Sequence, residues 1–213
     1  LVVHRTLDAS VPPTAELVDD LEPLIDLVRG HQLAALAIDM PIALLDHHPR
    51  IGDTEARKHL GPRRSSVFPS PVRAVLGSSD YDDARRRSRA SAGIAPSLQA
   101  FNLLPAIAHL DPLIEPEDQD RVVEAHPELA FARLAGEPLP HAKTTAEGRR
   151  HRRRLLIDHD PAFEALIDAS PLPPVDLLDA AALTVTAARV STGDDRRLGG
   201  ELDHRGRRAE IVW

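Results

Sequence analysis

The sequence predicts an α/β fold: a mixed sheet flanked by helices, with a largely helical insertion between two central strands. Two observations carry this. A β-branched segment, Leu1 to Leu7, precedes an amphipathic one, Thr14 to Arg29, and then a continuous apolar run, Leu33 to Ile38, that ends on Asp39. Strand, helix and strand at that spacing build a right-handed crossover unit. Second, residues 41–117 hold no equally good strand, and Arg121-Val-Val-Glu-Ala-His126 is the next one. The chain of 213 residues reads as a single domain, 1–213, with 41–117 inserted into it.

Each element has a local reason. Leu17, Leu21, Leu24, Ile25 and Val28 recur at helical spacing. Thr14 is placed to cap that helix and Gly30 to stop it, while Pro23 predicts a kink or a restart. The 33–39 run has the look of a strand buried on both faces. Asp53–Leu60, Tyr81–Ala92 and Ser97–Leu110 read as helices joined by Pro- and Ser-rich connections. Pro127 opens a helix through Leu134 that Gly136 closes. Thr145–Ile157 and Pro161–Asp168 are helical, as is the Ala-rich Asp176–Val190, which Gly193 ends. Arg207–Trp213 closes the chain as a short strand. No internal repeat is present.

Composition excludes several functions. There is no cysteine, so disulfide scaffolds, thiolate zinc sites and cysteine nucleophiles are ruled out. The same feature fits a reducing cytoplasm. The longest unbroken apolar run, Leu33–Ile38, falls far short of the roughly 20 residues of a membrane span, so no membrane is expected as a partner. Four Phe, one Trp and one Tyr are too few for a platform of stacked bases. Phosphate-loop, dinucleotide-binding, Gly-x-Ser-x-Gly and His-Glu-x-x-His patterns are all missing.

Acids at strand ends carry what chemistry remains. Asp39, followed by Met40-Pro41, sits where a parallel sheet opens its ligand crevice. The alternative is an acceptor of backbone hydrogen bonds at the strand–loop junction. Glu124 repeats the placement on the second strand, as a metal ligand or as one half of a surface ion pair. His126 shares its face and is more often a structural histidine than a ligand, with Glu128 in reserve. Asp176 and Asp179, three apart, share a helix face; Asp176 suits an N-cap and Asp179 suits chemistry. Such oxygen donors fit Mg²⁺ or Mn²⁺.

Basic residues are segregated. Lys143, Arg149, Arg150, Arg152, Arg153 and Arg154 stand against Glu147 alone, Arg85–Arg87 and Arg89 form a second cluster, and Arg63-Arg64 a third. On a chain of net charge −7 such patches can still hold a polyanion. Solvated helix faces paired with Asp and Glu are the competing explanation.

Ile38-Asp39-Met40-Pro41-Ile42, Asp53-Thr-Glu55-Ala-Arg57 and Gly61-Pro-Arg63-Arg64-Ser65-Ser66-Val67-Phe68 resemble the domain of unknown function 429 family. Glu124-Ala-His126-Pro127-Glu128, Lys143-Thr144 and Asp176-Leu-Leu-Asp179-Ala180 continue the match in order, over nearly the whole chain. The resemblance implies a ribonuclease-H-like sheet and a divalent-metal-dependent nuclease or phosphodiesterase. Asp39, Glu124 and Asp179 would be the catalytic acids and, with Asp176, the metal ligands. Arg63, Arg64, Lys143 and His126 would hold phosphate in one cleft. Members of that family carry a Gly-x-Asp-Gly strand and a further strand ahead of a segment like Val2–Leu7, which this sequence does not include; their omission is the expectation. The rivals are a nucleotide-binding phosphotransferase of the same fold and a non-catalytic nucleic-acid-binding protein.

Overall fold

The structure, a computed structural model, describes residues 2–6 and 10–213. Val2–His4 (β1) pairs antiparallel with Thr14–Glu16 (β2). The expected first strand is thus confined to Val2–His4, and its ends at Leu1 and Leu7 lie outside the described residues. The helix expected from Thr14 exists only as Glu22–Arg29 (α1), because Thr14-Ala15-Glu16 is taken into the β1 ladder. Pro23 falls in the first turn of α1, where its missing N–H breaks no helical bond. Leu24, Ile25 and Val28 on α1 then bury against Leu36, Ile38 and Ile42.

Leu36–Ile38 (β3) pairs parallel with Val122–Glu124 (β4), in the register Leu36↔Val122 and Ile38↔Glu124. Between these two strands the chain runs through Ile51–Leu60 (α2), Tyr81–Ala92 (α3), Leu98–Asn102 (α4) and Leu104–Leu110 (α5), with short 3₁₀ turns. The helix expected over 97–110 is split at Leu103, and Pro105 sits in the first turn of the second piece. Ser97 caps α4 by accepting from the Ala100 N–H.

Pro127–Ala135 (α6) follows β4 and ends at Gly136 with φ 76°, a left-handed cap that glycine adopts without strain. Ala146–His159 (α7), Ala162–Ala169 (α8) and Pro174–Thr192 (α9) follow, then a hairpin of Arg197–Leu202 (β5) and Arg208–Val212 (β6). The first strand of that hairpin has little β signal because it contains Gly199-Gly200. A bulge lies there, and a Cβ on Gly199 would stand 2.6 Å from the Ala209 carbonyl oxygen. Asp176, expected as an N-cap, is instead inside the first turn of α9, whose cap position is Pro173.

Among the described residues the strands form three two-stranded pairs. A parallel bridge, Ala125↔Val212, links the β3–β4 pair to the terminal hairpin. The α/β class is therefore present, whereas β1–β2 and β3–β4 remain separate ladders. Both lie against α9, whose Ala181, Ala182, Leu178 and Val185 anchor the largest core cluster together with Phe131 and Phe163.

Thr145 accepts from the Gly148 N–H at 3.0 Å and caps α7, the helix that delivers Arg152 to the interior. Thr145→Ala is expected to cost about 1 kcal/mol in urea denaturation, with Thr145→Ser restoring most of it.

Candidate functional site

Asp39 follows β3 directly. Because β3 bonds to β4 through the Leu36 N–H and the Ile38 carbonyl, the chain leaves the sheet at Asp39, and Pro41 turns it away. The carboxylate is surrounded by protein mass yet remains open to water through a groove of about 980 Å³, whose lining includes Asp39, Lys143, Asp176 and Asp179. Among the described residues, no hydrogen bond or ion pair engages it. Burial pushes its pKa up; His126 and Lys143 pull it down, and Asp179 pushes it further up.

Asp179 reaches the same place from α9, one turn after Asp176. It is 9% exposed and accepts from Lys143 Nζ at 2.5 Å. Burial raises its pKa, and the Lys143 ammonium works against that rise. Asp176 is exposed on the groove rim. The groove brings Asp39, Asp179, Asp176 and Lys143 together, although their chain separation spans most of the protein.

Glu124 does not join them. Its carboxylate is buried and clamped by both Arg50 guanidinium nitrogens, with Nη1 at 2.6 Å from Oε2, and it also accepts from the Ile42 N–H at 3.0 Å. Arg50, 2% exposed, donates in addition to Asp53 and to the Ala43 carbonyl. Burial pushes the Glu124 pKa up and Arg50 opposes it. We assign the pair as ionised, since a guanidinium does not deprotonate in proteins and would otherwise be buried unpaired. Glu124 is in an ion pair, but a buried one and not the surface pair expected, and the Ile42 bond makes it an anchor for the loop after Asp39. Arg50 left no recognisable signal in the sequence.

His126 is the N-cap of α6. Its Nδ1 accepts from the Glu128 N–H at 3.2 Å, and its Nε2 lies 3.1 Å from the Ser66 carbonyl, so these bonds assign Nε2 as the protonated nitrogen. Both ring nitrogens are thus occupied, and the histidine ties the Arg63–Ser66 turn to α6. Arg63 lies 3.5 Å from Glu128, which also holds buried Arg152 through both oxygens. Arg63 and Arg64 do not line the groove that Lys143 lines. Arg64 is exposed and has no ion pair among the described residues.

The basic clusters are neutralised in part, since Arg89, Arg149, Arg150 and Arg154 have no ion pair among the described residues. Arg85, Arg86 and Arg87 pair with Asp82 or Asp83 on their own helix. In the 143–154 cluster, Lys143, Arg152 and Arg153 are all paired with acids. Arg152 also stacks over Phe131, 5.4 Å from its ring centre.

No set of three or more Asp, Glu or His that could hold a metal ion occurs among the described residues. Asp39 and Asp179 are the two carboxylates that the groove holds beside Lys143, with Asp176 on its rim. Among the described residues no helix is long and apolar enough to cross a membrane.

Fold and site together define an α/β protein with paired acids and one cation where a parallel strand ends. A family model described as protein of unknown function (DUF429) matches residues 2–204, and the chain belongs to that family. No curated protein and no solved structure matches it.

Proposed function

We propose that the chain is a divalent-metal-dependent phosphodiester hydrolase of ribonuclease-H-like type, acting at the Asp39 end of the groove. The observation that carries this is an unengaged, water-accessible carboxylate, Asp39, beside a second acid already neighboured by a cation, Asp179 with Lys143. Mg²⁺ is commonly held by one or two carboxylates plus waters and substrate phosphates, so two acids fit an open site and not a closed cage. Asp39 and Asp179 would hold Mg²⁺ or Mn²⁺, with Asp176 on the rim. The ion, when bound, would polarise a phosphoryl oxygen and lower the pKa of a water.

The chain's own residues supply the rest. Lys143 is poised to leave Asp179 for a phosphate oxygen once a cation neutralises that acid. Glu124 and Arg50 hold the Ile42–Ala43 backbone and so fix the direction in which Asp39 leaves β3. The paired state of most arginines favours a substrate gripped at one or two phosphates over a long polyanion bound across the surface.

Calorimetric titration of Mn²⁺ into the protein and into Asp39→Asn tests this, alongside Mn²⁺-dependent hydrolysis of bis(p-nitrophenyl) phosphate. Binding and hydrolysis are both expected in the unsubstituted protein and absent from Asp39→Asn. Fold loss is not expected to confuse the result: burial disfavours the ionised Asp39, so the neutral amide should melt no lower. Mn²⁺ binding that survives Asp39→Asn would overturn the assignment.

A further inference from the structure

Lys143 combines a rigidly held backbone with a side chain that is left free to move. On the inner side, Arg152 Nη1 donates to the His141 carbonyl at 3.1 Å. Arg152 is itself 1% exposed and fixed by both Glu128 oxygens. The Thr145 N–H and hydroxyl donate to the Ala142 carbonyl at 3.0 and 2.8 Å, and Arg149 Nη1 donates to the Thr144 carbonyl at 2.6 Å. Three carbonyls around Lys143 are therefore engaged by α7 and its cap. The Ala142 carbonyl lies so close to α7 that a Cβ on Gly148 would stand 2.0 Å from its oxygen.

Nothing comparable restrains the side chain. Among the described residues its one hydrogen bond is to Asp179 Oδ2, at 2.5 Å. The lysine side chain is 45% exposed, against 13% for its partner. A lysine ammonium is a compact charge on a flexible four-carbon stem. This one can swing away from Asp179 while the chain beneath it stays fixed.

Charge decides what such a cation does in a hydrolase site. Asp39 and Asp179 together balance one divalent ion. Lys143 already neutralises Asp179, and its charge also reaches Asp39. Ion and ammonium together leave one positive charge in excess, which the single negative charge of a phosphodiester cancels. Without phosphate, an entering ion meets a like charge beside Asp179. With phosphate, the ammonium has another anion to turn to.

We infer that Lys143 is a resident cation that competes with the divalent ion for Asp179 and moves to the substrate phosphate, so that ion and phosphodiester each favour the binding of the other. The inference rests on the hydrolase reading and adds a regulation to it. The site is weak for metal alone and fills when both ligands are present, and it selects a singly charged phosphodiester. Linkage requires the two ligands to help one another by the same factor.

Calorimetric titration of Mn²⁺, with and without dimethyl phosphate, into the protein, Lys143→Met and Lys143→Arg tests this. In the unsubstituted protein dimethyl phosphate should tighten Mn²⁺ binding by at least about fivefold. Lys143→Met should bind Mn²⁺ alone about tenfold more tightly, the effect of removing a unit charge about 5 Å from a divalent ion even at the permittivity of water. It should also lose most of the gain from dimethyl phosphate. Lys143→Arg keeps the charge and should restore both the weaker binding and the gain. Tighter binding by Lys143→Met with the gain intact would reduce the contact to a structural ion pair and overturn the proposal. Unchanged or weaker binding by that variant would overturn it too, while leaving the hydrolase reading in place. Absence of Mn²⁺ binding from all three proteins would remove the hydrolase reading itself, and the inference with it.

Discussion

Replacing Arg50 with leucine is expected to cost about 3–5 kcal/mol of stability, the range for removing one partner of a buried ion pair. The guanidinium is 2% exposed and serves Glu124, Asp53 and the Ala43 carbonyl at once. Its loss leaves two buried carboxylates facing each other with only the Ile42 and Ser70 backbone N–H groups and the Ser70 hydroxyl for partners. Urea denaturation of Arg50→Leu, Glu124→Gln and the double variant checks this. The double variant should recover part of the loss, because the neutral amide no longer demands a cation. A single-variant loss below about 1 kcal/mol would place the pair among surface-like contacts and contradict the network. The same substitution is expected to loosen the loop after Asp39, which a structural role elsewhere would not do. Weakened Mn²⁺ binding by a still-folded Arg50→Lys variant is the readout for that.

Acidification should unfold the protein by way of a second buried ion-pair cluster. Arg207 and Asp203 are fully buried, and Arg207, Arg73 and Asp111 complete the cluster, with Arg207 Nη2 2.6 Å from Asp111 and 2.7 Å from Asp203. Burial works to raise the Asp111 pKa, but hydrogen bonds from Arg73 and Arg207 overcome it and bring the value from 3.8 to about 2. Asp203 is lowered as well: burial opposes the shift, and bonds from the Arg207 guanidinium and backbone prevail. A carboxyl whose folded pKa is depressed contributes stability above its unfolded value and loses it as pH falls through the folded one. These two acids therefore support the fold at neutral pH, and their support drains away from about pH 4 towards pH 2. Asp39 and Asp179 have the reverse sign: their raised values weigh against the fold when ionised, and protonation relieves them. In Arg207→Leu the acid-unfolding limb should move to higher pH, with a neutral-pH loss of about 3–5 kcal/mol. Circular dichroism followed from pH 7 to pH 2 measures both, and an unmoved limb would show that the cluster does not govern acid stability.

How legible the molecule was in its sequence depended on whether the deciding interaction was local. Helices with their own caps and stops were readable: Tyr81–Ala92 behind Asp80, Pro127–Ala135 before Gly136, and the Ala-rich helix before Gly193. Where a distant partner decided, sequence failed. Thr14-Ala15-Glu16 has helical neighbours on its C-terminal side, but its backbone bonds go to Val2–His4. Arg197–Leu202 carries two glycines that argue against a strand, yet β6 supplies a ladder and the bulge needs Gly199.

By itself, then, the sequence determined the α/β class, the position of Asp39 at a strand end and of Asp179 one turn inside the last helix, and the family to which the chain belongs. Periodicity, turn residues and motif words are properties of contiguous residues and survive without a fold. Only the tertiary structure decided which acids stay available. Asp39 and Glu124 look alike in sequence, each an acid at the end of a buried strand. One opens into a groove, and the other meets Arg50, 74 residues away. The same holds for the basic clusters, part of whose charge is cancelled by partners such as Glu128 and Asp168. A buried charge cannot remain unpaired without a large desolvation cost, so its neighbour in space, and not its neighbour in the chain, sets what it can do.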